Sequence, residues 1–284
     1  MHRILRFIHI AAVALLYFAA IGCSNDNESI GTVTPLVIEG WIEEGQPPVV
    51  IVTRAVDLTV PSPSLDNSIE KWCRVTIYDG DTPYILTGTM NHDYTPAFIY
   101  TTSRLKGAVG HTYRLTVETD TETATATSTM PAAPRLMPLE AERTNDCDTL
   151  YRLHAYIEDI DPTAHYRFFS RSHSVESRFY GTFLGTFTGS EYDSAKGWDI
   201  TRGFHSGYTG TEFQHYYQAG ERVTVRLCSM EPEIYQFWRI YDSNVSLSQN
   251  LFFTFAENCP GNIDGALGYW AAYGTTTRTI TLPR

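Results

Sequence analysis

The sequence predicts a mainly β protein: an immunoglobulin-like or transthyretin-like sandwich over residues 35–134, then a second antiparallel β domain over residues 135–284 with one helix at about 230–246. Three observations predict it. Apolar and polar residues alternate with period two in many short runs, clusters of Gly, Asp and Pro cut those runs at strand length, and a single stretch switches to a helical period.

The first 22 residues stand apart from this pattern. Arg3 and Arg6 precede an apolar run over residues 7–20, which falls short of the ~20 residues a spanning helix needs. A basic start, a short apolar core and small residues at its end describe an export signal. Gly22-Cys23 then stands where a lipobox places the cysteine that receives a diacylglycerol, although Ala20 occupies the position of the usual Leu. Cys23 is therefore expected to carry lipid and to begin the mature chain.

Residues 23–34 read as a lipidated polar tether. Their opening, Ser24-Asn25-Asp26-Asn27-Glu28, is too polar to pack. It also resembles the acidic signal that sends lipoproteins of Bacteroidetes-type bacteria to the outer face of the outer membrane. The triacylated cysteine of a lipoprotein is a firm anchor where one acyl chain is marginal. The expected location is the outer membrane, lipid-anchored through Cys23 and facing the cell surface. Removing the leader leaves 19 basic against 32 acidic residues, a charge of −13. A chain this acidic repels nucleic acid, so no nucleic-acid partner is expected.

In the first β region Val75, Ile77 and their polar neighbours alternate before a break at Asp79-Gly80-Asp81, and Tyr113, Leu115 and Val117 alternate with Arg114, Thr116 and Glu118. About seven such strands fit between residues 35 and 130, the rhythm of a sandwich. Trp41 falls on the strand face opposite Ile42, where it can cap the sandwich or meet the second domain. Pro131-Ala132-Ala133-Pro134 reads as a boundary, because two prolines in four residues cannot continue a central strand. Composition changes there too: 26 aromatic residues follow residue 134, against eight between residues 23 and 134.

Beyond the boundary Leu153, Ala155 and Ile157 alternate with polar neighbours, as do Val223, Val225 and Leu227. The segment 179–210 has weak periodicity and reads as short strands or a long exposed loop. Ile234, Phe237, Trp238, Tyr241 and Val245 then form one helical stripe, with Ser229 placed to cap it, Pro232 in its first turn and its apolar face predicted to pack on the second sheet.

Four cysteines remain after Cys23: Cys73, Cys147, Cys228 and Cys259. An even count in an exported chain permits two disulfides, with three connectivities open, and buried thiols are the alternative.

Two stretches resemble a known family. Residues 35–54, with Glu39-Gly40-Trp41-Ile42 and Gly45-Gln46-Pro47-Pro48, resemble the opening of the lipoproteins grouped as domain of unknown function 4249. Asn262-Ile263-Asp264-Gly265-Ala266-Leu267-Gly268-Tyr269-Trp270 resembles that family's closing Asn-Ile-x-Gly-Gly-Leu-Gly pattern, with Ala266 in place of the second glycine. The resemblance implies an outer-membrane lipoprotein of no established activity, often encoded near a TonB-dependent transporter, which makes such a transporter the expected partner. Physically the closing motif reads as structural, with Gly265 and Gly268 allowing positive φ or close backbone approach.

No catalytic residue, metal site or cofactor is expected. The sequence has no G-x-S-x-G elbow, no H-E-x-x-H, no P-loop and no G-x-G-x-x-G after a strand. The carboxylates of Glu158-Asp159-Ile160-Asp161 lack a full calcium-loop spacing, and His205 and His215 lack a third ligand. Binding is expected instead through aromatic side chains: Trp198, Tyr208, Tyr192, Tyr216 and Tyr217, with Tyr180, exceed the needs of a small core and suit a recognition surface. Capture of a nutrient or docking on a transporter leads; a structural or adhesive surface module and an unrecognised surface hydrolase are the alternatives.

Overall fold

The computed structural model describes residues 34–56, 65–144, 147–203, 215–248 and 258–284. The leader, Cys23 and residues 24–33 of the tether lie outside them, as do Tyr208, His205 and the side chains of Cys147 and Val245.

The period-two runs become strands. In chain order these are β1 (Leu36–Glu43), β2 (Val49–Arg54), β3 (Arg74–Asp79), β4 (Thr82–Ile85), β5 (Thr87–Met90), β6 (Phe98–Thr101), β7 (Thr112–Glu118), β8 (Thr123–Thr129), β9 (Arg135–Leu136) and β10 (Glu140–Thr144). There follow β11 (Cys147–Ala155), β12 (Ile157–Glu158), β13 (His165–Ser172), β14 (Tyr180–Thr188), β15 (Trp198–Ile200), β16 (Tyr217–Gln218) and β17 (Arg222–Met230), then helix α1 (Pro232–Ser248) and β18 (Leu267–Thr281). The class is mainly β, its sheets antiparallel in nearly every pair, with one helix among the described residues.

The expected division at residue 134 meets a shared element. One eight-stranded sheet runs β14-β13-β17-β18-β1-β2-β6-β5, taking strands from both sides of the proline junction. Its seam is the parallel pairing of β1 with β18, in the register Ile38↔Gly268 to Glu43↔Tyr273, while β2 pairs antiparallel on the other side of β1. Gly268 makes the approach possible: its φ is +103°, and a β-carbon there would collide with the carbonyl of Ile38. Pro35–Arg284 accordingly forms one unit. The prolines do end a strand, but the linker is pinned rather than free, since Ser229 donates to Ala132 O at 2.6 Å and Thr276 to Pro134 O at 2.6 Å.

Two cores lie on one face of this sheet. Leu36, Ile38 and Ile42 of β1 with Trp270 of β18 pack against Val75, Ile77, Leu115 and Val117 of the small sheet β4-β3-β7-β8. Farther along, Phe168, Val225 and Leu227 pack against Leu153, Ala155 and Tyr217 from β11 and β16. Each side of the proline junction thus contributes most of a core of its own, and what joins the two cores is the sheet they have in common. Each fully buried aliphatic side chain contributes roughly 1.5–3 kcal/mol here.

The opposite face carries α1. Ile234 and Trp238 pack on Cys228, Met230, Tyr269 and Tyr273, so the helical stripe covers the shared sheet rather than the small one. Pro232 is its first residue, as its fixed φ and missing N–H favour. Ser229 is not its cap: it belongs to β17, and its hydroxyl is committed to the linker. Segment 179–210 resolves into β14, a short 3-10 turn at Gly189–Glu191 and β15 over its described part.

Cys73 and Cys228 carry reduced thiols, and Cys259 Sγ takes a 3.9 Å contact from Asn244. Cys73 lies against the first core and Cys228 is buried under the helix. Burial pushes the Cys73 thiol up to about 11 and that of Cys228 higher still, which keeps both protonated and inert. Among the described residues no helix is long and apolar enough to cross a membrane.

Candidate functional site

Because side chains alternate along a strand, the residues between those core positions all point to the helix-bearing face. On β1 these are Glu39, Trp41 and Glu43; on β18, Tyr269 and Tyr273. On β17 they are Arg226 and Cys228, and on β13 Arg167, Phe169 and Arg171. Together they floor a cleft of about 570 Å³. Its walls are α1 through Trp238 and Tyr241, the β5–β6 connection through Asn91, Asp93 and Tyr94, and the β13–β14 connection through Ser177, Arg178 and Phe179. The volume suits a ligand of a few rings, in the usual range for small-molecule sites. Neither half of the chain makes this cleft alone.

Charges are paired in depth. Glu43 and Arg226 form an ion pair across the seam, and the Arg226 guanidinium lies 3.7 Å from the Phe179 ring centre. Arg167, only 2% exposed in its side chain, meets Asp242 of α1 at 2.7 Å and sits 4.3 Å over the Trp238 ring. Burial raises the Glu43 carboxyl above its ordinary value against the pull of Arg226. Glu39 opens onto the cleft, whose walls raise its carboxyl too by withdrawing solvent, against a 3.2 Å bond from Tyr269 and the charge of Arg178. Burial likewise raises the phenols of Tyr269 and Tyr273, the latter accepting from Trp238 Nε1 at 2.8 Å. Among the described residues, no group of three or more His, Cys, Asp or Glu could hold a metal ion.

The residues expected to form a recognition surface mostly turn inward. Trp198 stacks on Phe187 at 4.1 Å between ring centres, within the second core. Tyr192 accepts from the Ile157 backbone N–H at 2.8 Å, Tyr217 is fully buried, and the half-buried Tyr216 lies 5.7 Å beneath Arg152. Tyr180, at the start of the same segment, does reach the cleft, and so does Trp41, whose ring lies 6.0 Å from Tyr94. Trp198→Ala is accordingly expected to lower stability by about 2–3 kcal/mol, somewhat under the cost of a fully buried ring. Thermal unfolding checks it; an unchanged melting temperature would return Trp198 to a surface role.

The charged cleft residues Glu39, Glu43, Arg167, Arg171, Arg178 and Arg226 were not among those expectations. One signal could have found them: β1 and β13 carry charges of opposite sign beside Trp and Phe on their nominally polar faces, a composition unusual for a solvated sheet surface.

The closing motif is structural where it was expected to be. Asn262 brackets Trp270, donating to its carbonyl at 2.8 Å and accepting from its N–H at 2.9 Å, and Gly265 and Gly268 both have positive φ. This bracket sets the start of β18, sending Tyr269 into the cleft and Trp270 into the core.

No curated protein matches the sequence. The sequence profile of the family described as Domain of unknown function (DUF4249) matches residues 26–279, both quoted stretches and every residue that floors the cleft included, and the chain belongs to that family.

Proposed function

We propose that this protein is a lipid-anchored outer-membrane protein, facing the cell surface, that holds a small solute in the cleft without chemical turnover and presents it to a TonB-dependent transporter. The observation that carries the reading is the cleft itself: about 570 Å³, ring-lined, with charges fixed by buried pairs and floored by strands from both halves of the chain. Fixed dipoles and rings on a rigid sheet are what a binding site needs to be preorganised. The lipobox cysteine and its polar tether support the location, and the absence of recognised catalytic motifs in the sequence supports binding over catalysis.

Cys23→Ser is expected to move the mature protein from the membrane to the soluble fraction while leaving its melting temperature unchanged. Membrane association that persists with the leader cleaved would defeat the anchoring claim. A pull-down from solubilised outer membrane tests the partner, and recovery of no transporter would count against presentation. The hydrolase alternative draws on Glu39 and Glu43, two carboxyls held above their ordinary range in one cleft. Turnover of a glycan that Glu39→Gln abolishes would replace binding by catalysis.

A further inference from the structure

We infer that the cleft takes a small organic acid whose single carboxylate is carried on a flat-faced ring, an acidic sugar or an aromatic acid, with the carboxylate held at the Arg171–Arg178 end. The inference rests on the capture reading above and narrows its ligand.

The charge pattern points this way first. In a chain of net charge −11, four arginines line one cleft. Two are neutralised in place, Arg226 by Glu43 and Arg167 by Asp242. Among the described residues no carboxylate lies within ion-pair distance of Arg171 or Arg178, which sit on one wall, at β13 and the connection that follows it. With Asp93 and Asp242 counted, acids and bases around the cleft are close to balanced, so a monoanion fits better than a dianionic phosphate.

Unmet hydrogen bonding adds an independent observation. The Nε–H groups of Arg167, Arg171 and Arg226 are all buried without an acceptor, a cost that a wall built only for packing would avoid. Of the three, Arg171 alone also lacks a carboxylate partner, so its positive charge is the one not offset. The guanidinium of Arg171 lies 5.1 Å from the Phe179 ring, and that of Arg178 lies 5.0 Å from Tyr180. A guanidinium stacked on a ring keeps its N–H edge available, apart from a 3.5 Å contact of Arg171 Nη2 with the exposed His173, and that edge matches a carboxylate in two-pronged fashion.

Rings supply the rest. Trp41 and Tyr94 line the β1 and β5–β6 side and Phe179 and Tyr180 the β13–β14 side, so a flat ligand meets rings on the first side and ring-stacked guanidiniums on the second. Both sugar rings and aromatic rings offer such faces, and the shared chemistry is the acid on the ring.

Calorimetric titration of the mature protein decides it, using four probes: galacturonate and its methyl ester, phenylacetate and phenylacetamide. The expected result is that one acid binds at least about 30-fold more tightly than its neutral counterpart, and that Arg178→Gln weakens it about tenfold or more with unchanged melting. Galacturonate as the preferred acid identifies the sugar source, phenylacetate the aromatic one. Should Arg178→Gln melt early, Arg178→Lys, which keeps the charge and loses the fork, is expected to weaken binding by less than Gln would and by more than the exposed control Arg104→Gln. Equal binding of acid and neutral probe, lost in Trp41→Ala, would overturn the inference while the capture reading stands. Binding of neither acid would also overturn it, and the capture reading would then rest on the membrane and pull-down experiments alone.

Discussion

Trp270→Ala is expected to cost about 3–5 kcal/mol and to unfold both halves of the protein in one transition. The indole is fully buried, donates from Nε1 to Tyr113 O at 3.0 Å, and fits against Gly40, where an added β-carbon would come within 2.9 Å of the ring. Truncation opens a void and strands the Tyr113 carbonyl, and the two penalties add. The damaged strand, β18, hydrogen-bonds to β1 on one side and β17 on the other, so the loss falls on the seam of the shared sheet. Chemical unfolding followed by circular dichroism and by fluorescence provides the check. Two separated transitions, with the second half unaffected, would show that the cores fold independently. Trp72→Ala, at an 89% exposed position, is the control and is expected within about 0.5 kcal/mol of the parent.

Asp242→Ala is expected to be of similar size, about 3–5 kcal/mol, for an electrostatic reason. The carboxylate is 9% exposed, meets the 2% exposed guanidinium of Arg167, and also accepts from Thr186 Oγ1 at 2.7 Å. Removing it leaves a full positive charge buried against Trp238 with no counter-ion. Pairing the change with Arg167→Met removes that charge and should recover most of the loss, because a buried ion pair is weakly stabilising relative to apolar residues of similar size. A double variant as unstable as Asp242→Ala alone would mean that the cost is one of packing. Denaturant midpoints of the four proteins in this cycle give the coupling directly.

Much of the fold was legible because it is local. The alternation of Val75 and Ile77, or of Val223, Val225 and Leu227, needs only a strand with one buried face, and the Ile234–Trp238 spacing needs only a helix on a sheet. The seam was not legible, since no periodicity reports that β1 pairs with a strand more than two hundred residues away. That one missing pairing explains most of the differences. Without it Glu39 and Glu43 look like solvated edge residues, Arg167 and Arg171 look like the polar face of an outer strand, and residue 134 looks like a domain boundary. The Gly- and ring-rich segment attracted attention for its composition, yet Trp198 and Tyr217 are consumed by a core that uses aromatic rings where the first uses Val and Ile. Ser229 misled for a related reason: a hydroxyl before a proline resembles a cap, but strand β17 extends past it and gives its hydroxyl another acceptor.

The parallel seam also sets an order of events. Strand β1 is made long before β18, so β1 can form its hairpin with β2 early while the backbone of its other edge stands unpaired until β18 arrives. An open edge is a template for wrong pairing, and closure over so long a loop is slow. The strand that ends this exposure also lays down Tyr269 and Tyr273, the middle of the cleft floor. Ligand binding is thereby a report that β18 has docked: without it the first core lacks Trp270 and the cleft lacks the middle of its floor, and such a chain cannot load.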